Sequence, residues 1–148
     1  MVDISRIEAL DLDEIELLIT ESNREGFQFL QRLTDDWVAG RNRFDGKGEA
    51  LFIARADQQA VAICGLNRDP YTSDETIGRL RHLYTLPSHR RRGIARLLVN
   101  HIIRFARPHY KLLRLRTDTA EAANFYDKLG FNVAEQPDAT HIFVLAGI

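Results

Sequence analysis

A chain of 148 residues has the usual size of one domain with a sizeable core, and an apolar fraction of 45% beside 28% charged residues excludes wholesale disorder. A net charge of −1 excludes a protein whose main task is to neutralise a phosphate backbone. The single cysteine, Cys64, excludes an internal disulfide and fits a reducing compartment.

In chain order, Met1 to Glu8 has neither a basic segment nor an apolar one behind it, so it does not read as a secretory signal. Instead Val2–Glu8 reads as a first strand. Leu12, Ile15, Leu17, Leu18 and Ile19 mark a helix behind Asp11 or Asp13 as N-cap, and Phe27, Phe29, Leu30, Leu33 and Trp37 mark a second. Gly40 to Gly48, with three glycines and many charges, reads as loop. Ala50–Arg55 and Gln59–Leu66 are strand-like runs joined by Ala56-Asp57-Gln58, a hairpin signal. Within the second run, Cys64 stands among Ala62, Ile63 and Leu66 and reads as a small buried residue, not a nucleophile, because no basic group adjoins it. Asn67–Asp74 is a turn-rich loop, and Arg79–Leu86 is a strand closed by Pro87.

From Ser88 to Phe105 the apolar residues Ile94, Leu97, Leu98, Ile102 and Phe105 follow helical spacing, and Pro108 stops the pattern. Lys111–Thr117 is a strand, Ala120–Leu129 a short helix ended by Gly130, and Phe131–Ala134 and His141–Ala146 are the last strands. The order β-α-α-β-β-β-α-β-α-β-β predicts a mixed α/β sheet with helices on both faces. With no repeat, low-complexity tract or linker, one domain over 1–148 is expected. No apolar run approaches the about 20 residues a membrane helix needs, so a cytoplasmic location is expected.

The most informative stretch is a strand running into a turn that opens a helix, residues 79–98. On this reading the first turn of the helix holds Arg90, Arg91 and Arg92, where the orphan N–H groups and the positive end of the macrodipole ordinarily attract acidic or hydroxyl side chains. Each cation there costs about 0.3–1 kcal/mol unless an anion reverses the sign of the term. Gly93 adds about 1 kcal/mol relative to alanine, and its usual justification is close approach by another group; Ala95 keeps a second position small. A pyrophosphate lying across these amides explains both choices. A Walker-type loop is excluded because no Gly-Lys-Ser/Thr follows, and the dinucleotide glycine triplet is missing.

Thr85-x-Pro87-x-x-Arg90-x-Arg92-Gly93-Ile94-Ala95 resembles the acetyl-CoA signature, V-x-P-x-x-[RQ]-x-x-G-x-[GA], of the GNAT N-acetyltransferase superfamily, with Thr85 in place of valine and Ala95 in place of the second glycine. Ala122-Ala123-Asn124-Phe125-Tyr126-Asp127-Lys128-Leu129-Gly130-Phe131 is similar to the family's A-x-x-F-Y-x-K-x-G-F element. The resemblance implies a splayed sheet and acetyl transfer from acetyl-CoA to a primary amine by direct attack in a ternary complex. It implies that the backbone of Leu83, Tyr84 and Thr85 holds the pantetheine arm. The pyrophosphate falls to the motif residues Arg90, Arg91, Arg92, Gly93, Ile94, Ala95 and Arg96, through backbone amides from Arg91 onward. The resemblance also implies that Asn124 is a further cofactor contact and that Tyr126 is the general acid to the departing sulfur. Thr119 stands where many relatives carry asparagine. No metal is expected, and Cys64 lies outside both motifs.

Relatives often carry Glu or His as base where this chain has Arg79 and Arg81, and arginine is no base at neutral pH. Strand alternation assigns His82 to the opposite face. Arg79 and Arg81 share one face of their strand, and Arg114 and Arg116 share one face of the next, which suggests an acceptor carrying a carboxylate or phosphate. Phe27, Phe29 and Trp37 line the same pocket or pack in the core. The missing base leaves open a CoA-binding module without catalysis. Nucleic-acid binding through His89-Arg90-Arg91-Arg92 is opposed by the net charge and by the lack of a second basic element. No membrane partner is expected, and exposed strand edges near the C-terminus leave a homodimer open.

Overall fold

The structure, a computed structural model, describes residues 1–145. Its elements are β1 (Val2–Arg6), α1 (Leu12–Arg24), α2 (Phe29–Ala39), β2 (Ala50–Ala56), β3 (Gln59–Arg68), β4 (Ile77–Thr85), a 3₁₀ turn at Pro87–His89, α3 (Ile94–Ala106), β5 (Leu112–Leu115), α4 (Ala120–Leu129), β6 (Asn132–Gln136) and β7 (Ala139–Val144). The seven strands form one sheet in the order β1-β2-β3-β4-β5-β7-β6. Only β4 and β5 run parallel. The expected element order and mixed sheet are both observed; of the last expected strand, Ala146 lies outside the described residues.

Local chemistry accounts for most element ends. The Asp11 side chain caps α1 by accepting from the amides of Asp13 and Glu14 at 3.0 and 3.4 Å. Gly40 ends α2 and Gly130 ends α4, each in the left-handed conformation that glycine adopts without steric penalty. Thr119, the residue standing in for the family's asparagine, caps α4 by accepting from Ala122 N–H at 3.1 Å. Asp57 and Gln58 both have positive φ, the geometry of a two-residue turn that matches strand twist.

The apolar stripe of α3, Ile94, Leu98, Val99, Ile102, Ile103 and Ala106, is buried against the sheet. A fully buried leucine such as Leu98 contributes about 1.5–3 kcal/mol. Side-chain contacts divide the helices between the two faces. Phe52, which faces Cys64 across the β2–β3 ladder, meets His101 and Phe105, so Cys64 points to the α3 side. His141 lies opposite Leu115 in the β5–β7 ladder and bonds Asp127 of α4, which puts α4 on that side too. The other face carries α1 and α2, with Phe44 filling the notch over Gly65. Among the described residues no helix is long and apolar enough to cross a membrane.

Candidate active site

The cofactor loop differs from its expected form in one respect that matters. Arg90, Arg91 and Arg92 precede α3 instead of occupying its first turn. Pro87–His89 forms a 3₁₀ turn, Arg90 is extended, Arg91 and Gly93 are left-handed at φ +64 and +78, and the helix begins at Ile94. The cause is steric and local: the left-handed residues fold the chain back before the first helical bond, from Leu97 N–H to Gly93 O at 3.0 Å.

The loop keeps free donors after the change. The amides of Arg91, Arg92, Gly93, Ile94, Ala95 and Arg96 have no hydrogen-bond partner among the described residues. The first turn of α3 has neither a side-chain cap nor an acidic residue. A Cβ at Gly93 would meet no heavy atom within 4 Å, so space lies open over the loop, and the Arg91 and Arg92 side chains are exposed around it. Six unpartnered donors at the positive end of a helix, flanked by guanidiniums, fit a diphosphate.

Arg90 does something else. Its guanidinium forks onto Glu25, at the end of α1, with N···O distances of 2.9 and 2.5 Å, and donates to Thr85 O at 3.1 Å. Tyr84 O–H donates to the same carboxylate at 2.5 Å. The Arg90 hydrogen bonds, followed by that of Tyr84, hold the Glu25 carboxyl below the usual range against the opposing effect of burial. Burial and the Glu25 carboxylate push the Tyr84 phenol up. Glu25 was not legible as a site residue, since nothing near it in the sequence marks it.

Strand β4 carries a bulge and a free edge. Tyr84 pairs with Ile63 and Arg81 with Gly65, so His82 and Leu83 together stand opposite Cys64. His82 takes the strain at φ +62. On its other side β4 pairs with β5 only at Ile77, Gly78 and Arg79, so the edge from Leu80 to Thr85, with Leu83, Tyr84 and Thr85 on it, has no strand partner. Beyond Arg79 and Arg114 the pairing of the two strands ends, which leaves a gap in the ladder. Tyr126 stands on the α3–α4 side, 6% exposed, against Phe125, Phe131 and His141. Burial, then the nearby Cys64, raises its phenol well above the usual value. Cys64 and Tyr126 lie on the same side of the sheet although far apart in sequence. The Cys64 thiol, buried and donating to Arg81 O at 3.5 Å, is pushed up by burial, which suits no nucleophile. Asn124 is exposed on α4.

Two expectations on the α1–α2 side are corrected. The bulge breaks the alternation that assigned His82 to the opposite face, and its ring packs against Phe29 and Phe44. Burial, with help from Arg81 and Arg32, depresses the His82 imidazole to about 3, so it is neutral. Arg79 and Arg114 do not offer free guanidiniums to a pocket: side chains only 7% and 9% exposed converge on buried Asp69 at 3.5 and 3.2 Å. Arg79 also donates to Asp138 O at 2.6 Å and stacks on Tyr71 at 4.6 Å. Arg116 is exposed and pairs with Asp118 at 3.5 Å. Among the described residues the side chain of Arg81, half-buried, bonds only Asn67 Oδ1, at 3.4 Å. Phe27, Phe29 and Trp37 are half-buried against the core, with Phe29 turned to His82 and Tyr84.

The family model described as acetyltransferase (GNAT) domain matches residues 47–133, more than half of the chain. The chain belongs to the GNAT acetyltransferase family. This GNAT chain is 33% identical over 94 residues to N-acetyltransferase 8 of Homo sapiens, a match covering 61% of this chain and 41% of that protein, so it spans less than half of that relative's length. It resembles the structure of a protein assigned as an acetyltransferase from Exiguobacterium sp. 255-15, with a TM-score of 0.85, 29% identity and coverage of 97% and 93% of the two chains. It shares its fold, at 18% identity and a TM-score of 0.69, with a GNAT family N-acetyltransferase from Escherichia coli solved in complex with CoA; the match covers 98% of this chain and 82% of that one.

Proposed function

We propose that this GNAT protein moves an acetyl group from acetyl-CoA to a primary amine by direct attack in a ternary complex. The observation that carries the proposal is the run of six amides, Arg91 to Arg96, without a hydrogen-bond partner among the described residues, in the connection that follows the free edge of β4. These amides hold the pyrophosphate, the exposed Arg91, Arg92 and Arg96 side chains surround it, and the free edge at Leu83, Tyr84 and Thr85 takes the pantetheine arm as an added strand. Asn124, exposed on α4, borders the same arm. Bound there, acetyl-CoA supplies an activated acyl thioester.

A backbone N–H near Tyr84 or Thr85 faces the negative charge that gathers on the acetyl oxygen. Tyr126 keeps a proton at its hydroxyl at every physiological pH, donates it to the sulfur as the C–S bond breaks, and regains a proton from water, its raised pKa favouring that return. No side chain replaces the base at Arg79 and Arg81. The guanidiniums of Arg79, Arg81 and Arg114 favour the neutral amine over the ammonium, and the proton released after attack passes to water.

Calorimetry with CoA and assay of thiol release test the reading together. CoA binding is expected, and Tyr126→Phe is expected to lower kcat for a reactive amine about 10²–10⁴-fold with CoA affinity retained. Binding without thiol release from any amine would favour a CoA-binding module. No binding at all would remove the proposal.

A further inference from the structure

We infer that the acceptor amine also carries an anionic group, a carboxylate or a phosphate, and that the Arg81 guanidinium reads it. The inference rests on the transferase reading above and deepens it. On the α1–α2 face, opposite the side of Tyr126, β4 and β5 present Arg79, Arg81 and Arg114 beside the end of their pairing. Asp69 is the one carboxylate within 4.0 Å of any of these three among the described residues, and it lies between Arg79 and Arg114. Those two are immobilised. Arg81 is not.

A guanidinium has five N–H donors, and Arg81 places one of them, at a long 3.4 Å, on Asn67 Oδ1. That oxygen already accepts from Asn42 Nδ2 at 2.9 Å. The remaining donors of Arg81 have no protein partner among the described residues. Asp36, which also bears on His82 from α2, is held by Arg41 at 2.8 Å. His82, beside Arg81, stays neutral and compensates nothing. Burial lowers the Arg79 pKa against the opposing effect of Asp69, and the charges of Arg114 and Arg81 add to the lowering, so the three cations bear on one another. A half-buried cation without a counter-ion is unfavourable, and an anion bringing charge-assisted bonds reverses that.

Matched amines test this: single amino acids against their carboxamides, and phosphoethanolamine against ethanolamine, the two arms separating carboxylate from phosphate. With thiol release as readout, the anionic member of at least one pair is expected to exceed its neutral partner about 10- to 100-fold in kcat/KM. Arg81→Gln is expected to bring that ratio within about threefold of unity. Arg81→Lys is expected to keep part of it, and the calorimetric affinity for CoA is expected to hold in both variants. A ratio that survives Arg81→Gln, or pairs that do not differ, would overturn the inference. If CoA binds but no amine releases thiol, the transferase reading fails separately. Thermal shift of the CoA-bound protein with the same pairs then decides: stabilisation by the anionic member in wild type but not in Arg81→Gln supports the role of Arg81, and no difference overturns it.

Discussion

His82 sits at φ +62, where a bulky L-residue is strained, and no covalent need for glycine explains the position. The surroundings hold it there. Phe29 and Phe44 pack on the ring, and the bulge forces one extra residue into β4 opposite Cys64. Burial keeps the ring neutral down to about pH 3, whereas in the unfolded chain it takes up a proton near 6.5. The folded pKa is depressed, so between about 6.5 and 3 the unfolded state binds more protons than the native state. Stability is then full above 6.5 and declines as pH falls, by up to about 1.4 kcal/mol per pH unit from this residue. His82→Asn tolerates the left-handed backbone and removes the titration. The variant starts lower at pH 7 for want of ring packing, but its stability in urea is expected to change less between pH 6.5 and 4.5 than that of wild type. Parallel pH profiles would show that native His82 accepts a proton readily.

At the scale of elements, the connection from β4 to α3 shows what the sequence makes legible and what it does not. The stripe Ile94, Leu98 and Ile102 announces the helix because burial against a sheet demands that spacing, and the turn before it follows from Pro87. The helix start was misplaced by six residues, since Ser88 and Ile94 differ by two left-handed residues that no periodicity records. The motif at residues 85–95 nevertheless covers amides that the structure leaves without a hydrogen-bond partner among the described residues, because a backbone donor needs only a small neighbour and a free end. Glu25 escaped notice because its partners lie 59 and 65 positions away. Bound to Arg90 and Tyr84, it ties the end of α1 to the end of β4 and the loop before α3. Its carboxyl pKa is lowered, first by Arg90, so its contribution is present above the unfolded value near 4.5 and fades as pH drops through the lower folded value. Glu25→Gln is expected to lose about 1 kcal/mol at pH 7 after allowance for solvent screening. The gap from wild type is expected to close on acidification below pH 4 in denaturant titrations. An unchanged gap at pH 3 would assign the loss to packing instead of charge.

For the molecule as a whole, the consequential feature is how little joins its two halves. Strands β1 to β4 form a continuous antiparallel ladder, β5 to β7 form another, and between them β4 and β5 share three residue pairs. That economy opens the gap, and it places a demand on the last shared pair, Arg79 and Arg114. The strand pattern showed that each strand carries two arginines on one face; it did not show that a loop carboxylate ten residues before Arg79 reaches between them. Asp69, fully buried, compensates both guanidiniums at the fork and also accepts from Tyr71 N–H at 2.9 Å. Breaking a buried ion cluster on one side leaves charge without a partner, at a typical cost of about 3–5 kcal/mol. Asp69→Asn keeps the shape and removes the charge, so it is expected to lose stability in that range in urea unfolding. Two guanidiniums then repel each other where the half-sheets meet. A ligand seated in the gap contacts both halves, so saturating CoA is expected to restore part of the lost melting temperature, by an amount that grows with the logarithm of its concentration. A loss under about 1 kcal/mol would mean that the three-pair ladder and the apolar core suffice to hold the fork, with Asp69 no more than a surface-grade partner.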